Sequence, residues 1–205
     1  MTTLTHSYVD LDEFMALPEL ESAKAVDDVF IERLLERCSR ELDGDTGHWF
    51  YADPQVRSFD TPRGRILELD QPLLEVTTIT NGDGTTLAAN EYNLYPLNGA
   101  HKTEIRLKQS SSALWQLSSG GDTEGVISVS GQWGYVDRSA TKPESAVVIS
   151  NTKSAVLMLA LALYKKRYGV GTEGVAQVTG SGVVITPRDK SREYWAIAEI
   201  YRRHL

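Results

Sequence analysis

The sequence is poor in the residues that build disulfide frameworks and metal centres. Cys38 is the only cysteine among 205 residues, which excludes an internal disulfide and a cysteine-based metal cluster. The four histidines are scattered, with none at i,i+4 spacing, and no pair of carboxylates stands out as an isolated couple. We therefore expect no catalytic residues, no cofactor and no metal ligands.

Long apolar runs are also missing. The longest, residues 155–164, has ten apolar or aromatic residues, whereas a bilayer-spanning helix needs about 20. No basic region leads into an apolar segment near residue 1, so no secretory signal is visible. We expect a protein that is synthesised in the cytoplasm and has no membrane partner.

The apolar run does predict a helix at the centre of the fold. Its Ala, Leu and Met residues favour helix, Pro143 fits a first turn, and Lys165, Lys166 and Arg167 suit a last turn before Gly169. One helix is therefore predicted over residues 143–168. Because the run has no polar face, the helix is expected to lie at the centre of the core. Part of its apolar surface could also meet a neighbouring subunit, and the two interpretations are compatible.

The charge of the chain is unevenly distributed. Residues 1–137 contain 10 Lys/Arg and 23 Asp/Glu, a net −13, while residues 138–205 contain 11 Lys/Arg and 5 Asp/Glu, a net +6. The acidic part should repel nucleic acid, and the basic part could attract phosphate or an acidic protein surface. Solvated faces of ordinary helices would give the same counts.

Secondary-structure patterns divide the chain into three stretches. A short helix is predicted at 8–17, with Asp10 as its cap. A clearer helix is predicted at 27–42, ended by Gly44 or Gly47, with Cys38 on its apolar stripe as a buried small residue. Alternating strands are predicted next, at 49–51, 56–59, 65–69, 75–79, 92–95, 104–108 and 126–133. After the central helix come a glycine-rich loop or hairpin at 169–182, a strand at 183–185 and a helix at 189–204. This order predicts an α+β fold.

Two short motifs suggest chemistry that their context argues against. Residues 169–174 match the dinucleotide-binding pattern G-x-G-x-x-G but follow a helix instead of a strand. Ser150 and Lys153 have the spacing of a serine acyl-enzyme, yet the companion Ser-Asp-Asn and Lys-Thr-Gly segments are missing. The aspartates at 10, 12, 27, 28, 43 and 45 are interpreted as caps and turns.

The whole chain resembles the head-to-tail connector proteins, also called adaptor or head-completion proteins, of long-tailed bacteriophages. The order and spacing of several segments carry the resemblance: the opening helix, DDVFIERLLERCSRELDGDTGHWFY, Phe59, ILELDQPLLEVTTIT, EYNLYP with Asn98-Gly99, VISVSGQWGY, Pro143-Glu144, ALYKKRYG, the glycine-rich loop, VITPRD and the terminal helix.

The resemblance implies a bundle of about four helices with a large inserted β-rich region. The bundle would comprise 1–48 and 137–205, and the insertion 49–136. It further implies a structural protein of the virion neck, made in the bacterial host cytoplasm, that forms a ring of usually twelve copies under the portal protein. Such a ring extends the DNA channel without binding DNA specifically and provides the platform for a stopper or tail-completion protein.

The terminal helix of such connectors often docks on the portal, so the resemblance implies two sets of candidate residues. The first is a portal-docking set, with Trp195 and Tyr201 as anchors: Arg188, Lys190, Arg192, Trp195, Tyr201, Arg202 and Arg203. The second is a flexible loop that orders on assembly: Gly169, Gly171, Gly174, Gly180 and Gly182.

Other functions remain open at this point. The chain could be a stopper or tail-completion protein of the same neck region. An enzyme of unrecognised type would require a pocket with convergent polar groups. The net charge of −7 argues against a free-standing DNA-binding protein, because such proteins bind phosphates with Lys and Arg.

Overall fold

A computed structural model of the chain describes residues 7–20, 28–137, 148–168, 177–178, 184–185 and 190–203. The chain forms two compact units. The helical unit combines Met1–Phe50 with Val148–Leu205, and the β unit is the intervening Tyr51–Val147. Four α-helices and a five-stranded antiparallel sheet confirm the predicted α+β class.

The helical unit contains α1 (Leu11–Met15), α2 (Asp28–Thr46), α3 (Ser150–Tyr168) and α4 (Arg192–Ile200). A 3-10 turn, Pro18–Leu20, follows α1. Asp10 occupies the predicted N-cap position of α1, but its side chain makes no capping hydrogen bond. The apolar stripe of α2 is buried from Leu34 to Leu42, including the fully buried Cys38, but Val29 at its predicted start is 39% exposed.

Helix α2 continues past the predicted stretch 27–42, through Gly44 to Thr46. Of the two glycines predicted to end it, Gly44 and Gly47, the second is the one that does. Gly47, with φ of 75°, then ends it, because only glycine adopts this backbone conformation without steric cost. The correction matters because the added turn contains Asp43 and Asp45, which therefore lie in a helix and not in a turn.

Helix α3 begins at Ser150, so the predicted start at 143 is wrong. The carbonyl of Ile149 accepts hydrogen bonds from the amides of Thr152 and Lys153, at 3.0 and 3.2 Å. These bonds form the first turn, and residues 148–149 are not helical. One side of the helix is buried in its own unit, through Thr152, Ala155, Val156, Leu159, Ala160 and Tyr164. Its packing partners are α2 and α4.

The terminal elements are shorter than predicted. Two-residue strands pair antiparallel as a hairpin, β6 (Gln177–Val178) with β7 (Val184–Ile185). This pairing favours the hairpin alternative for the glycine-rich segment. Helix α4 occupies the middle of the predicted 189–204, because Ser191 caps its start by accepting a hydrogen bond from the Tyr194 amide at 3.1 Å.

The β unit contains β1 (Asp53–Phe59), β2 (Ile66–Thr80), β3 (Tyr92–Tyr95), β4 (Lys102–Leu107) and β5 (Ile127–Trp133). They form one antiparallel sheet in the order β1-β5-β2-β4-β3. Alternate residues of β5 are buried, as expected for a strand with one face on the core. Trp133 is fully buried at the end of β5 and stacks on Phe59 with ring centroids 6.0 Å apart.

Two strand predictions need correction. The strands predicted at 65–69 and 75–79 are one strand, β2, whose register shifts between Glu68 and Leu73 and again further along. The strand predicted at 49–51 is wrong, because these residues do not form a strand. Phe50 is buried there for another reason. That side chain is fully buried in the helical unit, where its ring meets Tyr8 and Tyr201.

No helix in the described ranges has the length and apolar content needed to cross a lipid bilayer.

The irregular pairing of β2 with β5 depends on Gly131. A Cβ atom at this position would lie 2.2 Å from the Glu75 carbonyl oxygen. We therefore expect Gly131→Ala to lower the free energy of unfolding of the β unit by about 1–3 kcal/mol, measured by urea titration. Gly64→Ala is the matched control, because a Cβ there meets nothing within 4 Å. Equal stability of the two variants would contradict the packing described here.

Candidate assembly surface

The last turn of α2 connects both ends of the helical unit through two carboxylates. On one side, the buried Tyr8 hydroxyl donates to Asp43 Oδ1 at 2.5 Å. The same hydroxyl accepts a hydrogen bond from the Phe50 amide at 2.8 Å, and Arg40 Nε lies 3.2 Å from Asp43 Oδ2. This network attaches both the N-terminal segment, through Tyr8, and the residues after α2, through Phe50, to the last turn of α2.

Burial dominates the electrostatics of this site. It raises the pKa of Asp43 to about 6, against the lowering effects of the Tyr8 hydrogen bond and the Arg40 charge. Burial, with the neighbouring Asp43 charge, also raises the pKa of the Tyr8 hydroxyl well above its ordinary value. The hydroxyl therefore stays protonated and keeps donating to the carboxyl group.

On the other side of the turn, Asp45 holds the start of α4. Asp45 Oδ2 accepts from Lys190 Nζ at 2.5 Å and from the Tyr194 hydroxyl at 2.6 Å. Glu41 Oε1 lies 3.0 Å from the same ammonium group. Burial alone would lower the pKa of Lys190, but the two carboxylates outweigh it and the pKa is raised. We call Glu41, Asp45, Lys190 and Tyr194 the α2–α4 clamp.

The clamp fixes which side of α4 faces outward. Tyr194 and Ala198 are buried, whereas Trp195 is 37% exposed and Ile200 is 68% exposed. The Lys190 ammonium lies 5.2 Å from the centre of the Trp195 ring, so this side chain partly covers the clamp. We define the outer face of α4 as Arg192, Trp195, Ala196, Glu199 and Ile200, all exposed.

The portal-docking residues predicted from sequence divide between the two sides of this helix. Lys190 points into the clamp, and the half-buried Tyr201 packs its ring on Phe50 at 5.6 Å. Arg192 and Trp195 lie on the outer face, and Arg202 is exposed and pairs with Glu199 at 2.9 Å. The half-buried Arg203 donates its amide to the Thr46 carbonyl at 2.8 Å. Arg188 and the five glycines of the predicted assembly loop lie outside the described residues.

Sequence reasoning missed several residues of this surface, including Glu41 of the clamp. Asp45 was interpreted as a turn residue, and Tyr194 and Ile200 were not singled out. A signal for Asp45 was present, because two aspartates in the last turn of a helix oppose the helix dipole unless partners compensate them. In the sequence, Ile200 is one of several apolar residues of the terminal helix. Only the packed orientation of α4 shows that its side chain is exposed.

A second apolar surface lies on α3, opposite its buried stripe. Met158 is 39% exposed there, with Leu157 and Leu161 half-buried beside it. The helix therefore buries only one of its two apolar sides within the described residues of its own unit.

The side chains considered for chemistry are placed in structural roles. Cys38 is fully buried, and burial raises the pKa of its thiol to about 12, which keeps it protonated and unreactive at neutral pH. Lys153 Nζ is 3.0 Å from Glu13 Oε2 on α1. No group of three or more His, Cys, Asp or Glu residues in the described ranges could hold a metal ion.

Comparison with solved structures finds chains of similar fold in gene transfer agent particles. A chain in the neck of an empty gene transfer agent (GTA) particle, computed with C6 symmetry, is similar over 100% of this chain and 95% of its own length, with a TM-score of 0.62 and 18% identity. The chain shares its fold with phage-like neck proteins. A chain of the native GTA virion gives a TM-score of 0.59, with 18% identity and the same coverage.

These matches support the resemblance to head-to-tail neck proteins that the sequence predicts. At 18% identity they establish the fold alone. No protein-family model and no curated protein sequence matches the chain.

The raised pKa of Asp43 predicts an unusual dependence of stability on pH. The folded-state pKa of about 6 exceeds the ordinary value of 3.8, so the folded protein binds the proton more tightly than the unfolded chain. This contribution is fully present below about pH 4 and is lost as the pH rises through 6. Asp43→Asn should therefore flatten the fall in unfolding free energy between pH 4 and 7, measured by denaturant titration. The exposed Glu19 provides a control, Glu19→Gln; an unchanged fall in Asp43→Asn would refute the assignment.

The clamp predicts a local effect of replacing Lys190. Lys190→Met leaves Asp45 and Glu41 without their shared cation, and we expect a loss of roughly 1–2 kcal/mol. Amide hydrogen exchange should accelerate in α4 more than in α2, because α4 is the element that the clamp holds. Arg192→Met removes an exposed cation from the same helix and should leave both measurements within error. Identical exchange profiles for the two variants would show that the clamp does not anchor α4.

Proposed function

We propose that this protein is a head-to-tail connector, or adaptor, that forms a ring under the portal of a tailed phage or phage-like particle. The carrying observation is the fold, which is shared over the whole chain with a chain in the neck of a gene transfer agent particle computed with C6 symmetry. In this role the protein is a structural component without catalytic activity. Its partners are further copies of itself, the portal protein, and a stopper or tail-completion protein.

The outer face of α4 is the proposed portal-docking site. Its Trp195 and Ile200 side chains provide an exposed apolar surface of the kind that anchors protein interfaces. Arg192 adds positive charge beside this surface, and Arg202 pairs with Glu199 of the same face. The clamp holds α4 in one orientation, so the ordering of the helix does not have to be achieved at the moment of docking.

The outer face of α3 is the proposed contact between neighbouring copies. A ring is built from heterologous contacts in which one patch of each copy meets a different patch of the next. The exposed Met158 and half-buried Leu161 lie on a helix whose two sides are both apolar, which is the pattern expected where a second copy covers the outer side.

The ring would let DNA pass without holding it. Protein binds duplex DNA mainly by neutralising phosphates with Lys and Arg. Residues 1–137, with a net charge of −13, would repel the phosphates if they line the channel, and the proposed role needs no specific DNA contact.

The docking site is tested by placing charge on α4. The double variant Trp195→Glu, Ile200→Glu should lose at least about tenfold in affinity for the portal protein of the same particle, because two carboxylates would be desolvated at the interface. Binding is measured by sedimentation of portal rings with labelled chain. The control Val29→Glu changes another apolar side chain that is 39% exposed and should bind normally.

The same experiment separates the two proposed surfaces. Met158→Glu should still bind the portal but with fewer copies per portal ring, because contacts between copies are weakened. Normal portal binding by the α4 double variant would eliminate the outer face of α4 as the docking site. Failure of the unaltered folded chain to bind would favour a stopper or tail-completion role instead.

A further inference from the structure

A loop between β4 and β5 presents two leucines to solvent. Leu114 is 54% exposed and Leu117 is 44% exposed, while Trp115 between them is buried at 8%. Among the exposed large apolar side chains described in the β unit, these two lie closest together in sequence, three residues apart. Such a local pair is more informative than scattered exposed apolar residues, which need no explanation. We call residues 113–117 the leucine loop.

One buried side chain holds the backbone of the leucine loop on both sides of Trp115. Asn81, 3% exposed, donates from Nδ2 to the Leu114 carbonyl at 2.8 Å and accepts the Gln116 amide on Oδ1 at 2.9 Å. A Cβ atom on Gly82 would lie 2.1 Å from the Gln116 carbonyl oxygen. The turn that contains Asn81 is therefore in close contact with the loop.

Arg65 fixes the chain that leads into the leucine loop. Its Nη2 donates to the carbonyls of Lys108 and Ser111, at 2.9 and 2.7 Å, and to that of Ala113 at 3.2 Å. With the Asn81 contacts, these bonds order the loop before any partner binds. Association through the loop therefore loses less conformational entropy than association through an unordered segment.

The leucine loop and the outer face of α3 are both free of charged residues. Residues 109–121 and residues 154–164 each contain no Asp, Glu, Lys or Arg, although 24% of the chain is charged. On α3, Met158 is exposed and Leu161 is half-buried. Contact between the two stretches would bury no carboxylate or ammonium group, which is costly without a partner. It would also bring together no like charges from two copies of an acidic chain.

A closed ring requires two different patches on each chain, because each copy meets the next through a heterologous contact. The outer face of α3 supplies one patch. The leucine loop supplies a second patch that is apolar, uncharged and held in place by hydrogen bonds. The two patches match in chemistry and belong to different units of the chain.

We propose that the leucine loop of one copy packs on the outer face of α3 of the next copy. Leu114 and Leu117 contact Met158 and Leu161 there, while Trp115 remains buried in its own β unit and supports the loop. This contact rests on the proposed function, since it presupposes a ring, and it identifies the patch that meets α3. It involves no residue of α4.

Cysteine cross-linking of chains bound to portal rings tests the contact. The double variant Leu117→Cys, Met158→Cys should oxidise into a ladder of covalent multimers, because each loop meets α3 of the next copy. The native Cys38 is fully buried and its thiol pKa is raised to about 12, so it does not react. Leu97→Cys, Met158→Cys is the matched control and should give no ladder, since Leu97 is 59% exposed but lies outside the loop.

The outcomes distinguish this contact from the connector role. Portal-bound chains that form no ladder, or that cross-link only within one chain, would overturn the contact between the leucine loop and α3 and leave the connector role intact. A folded chain that does not bind the portal would contradict the connector role. The contact proposed here depends on the ring and would be overturned with it.

Two blocked variants test whether the contact joins different patches. Leu114→Glu, Leu117→Glu blocks the loop and Met158→Glu blocks α3, and each should weaken the contact between copies at least about tenfold. In a mixture, the intact loop of the α3 variant can meet the intact α3 of the loop variant. More copies should therefore bind per portal ring from the mixture than from either variant alone. Equal copy numbers would overturn the proposal, and Leu97→Glu should retain the copy number of the unaltered chain.

Discussion

The helical unit depends on the last turn of α2, where Asp43 and Asp45 hold segments from opposite ends of the chain. Asp45 bonds Lys190 and Tyr194 across sequence separations of 145 and 149 residues, while Asp43 bonds Tyr8. Two carboxylates at a helix C-terminus oppose its dipole, and α2 has no basic residue in its last turn. Arg40, one turn earlier in α2, partly compensates Asp43. The other partners come from elsewhere in the chain, so the turn is favourable only when both ends are in place.

This constraint connects the fold to the proposed role. The β unit interrupts the helical unit in sequence, so α2 and α4 are far apart along the chain. The clamp holds the two helices together and leaves Trp195 and Ile200 exposed on α4. Helix α3 likewise buries one apolar side and exposes part of the other. A protein that assembles through several surfaces needs such fixed, partly apolar faces, and a chain in the neck of a gene transfer agent particle shares the fold that presents them here.

The sequence predicted the elements better than their ends or their contacts. The α+β class, the apolar stripe of α2 and five of the strands follow from periodicity, because burial repeats every 3.6 or 2 residues. Periodicity could not show that β2 is one strand with shifted register, nor that Phe50 belongs to a core of three aromatic rings. Asp45 and Lys190 could not be paired from sequence, because the contact joins positions whose proximity only the folded helices create.

Imaging the purified chain with the portal protein of the same particle by electron microscopy tests the connector role most directly. The account predicts a second ring beneath the portal ring, coaxial with its channel, in which the outer face of α4 meets the portal and the outer face of α3 meets the next copy. The image would also give the number of copies, for which the resemblance implies twelve. A folded chain that adds no density to the portal would contradict the connector role.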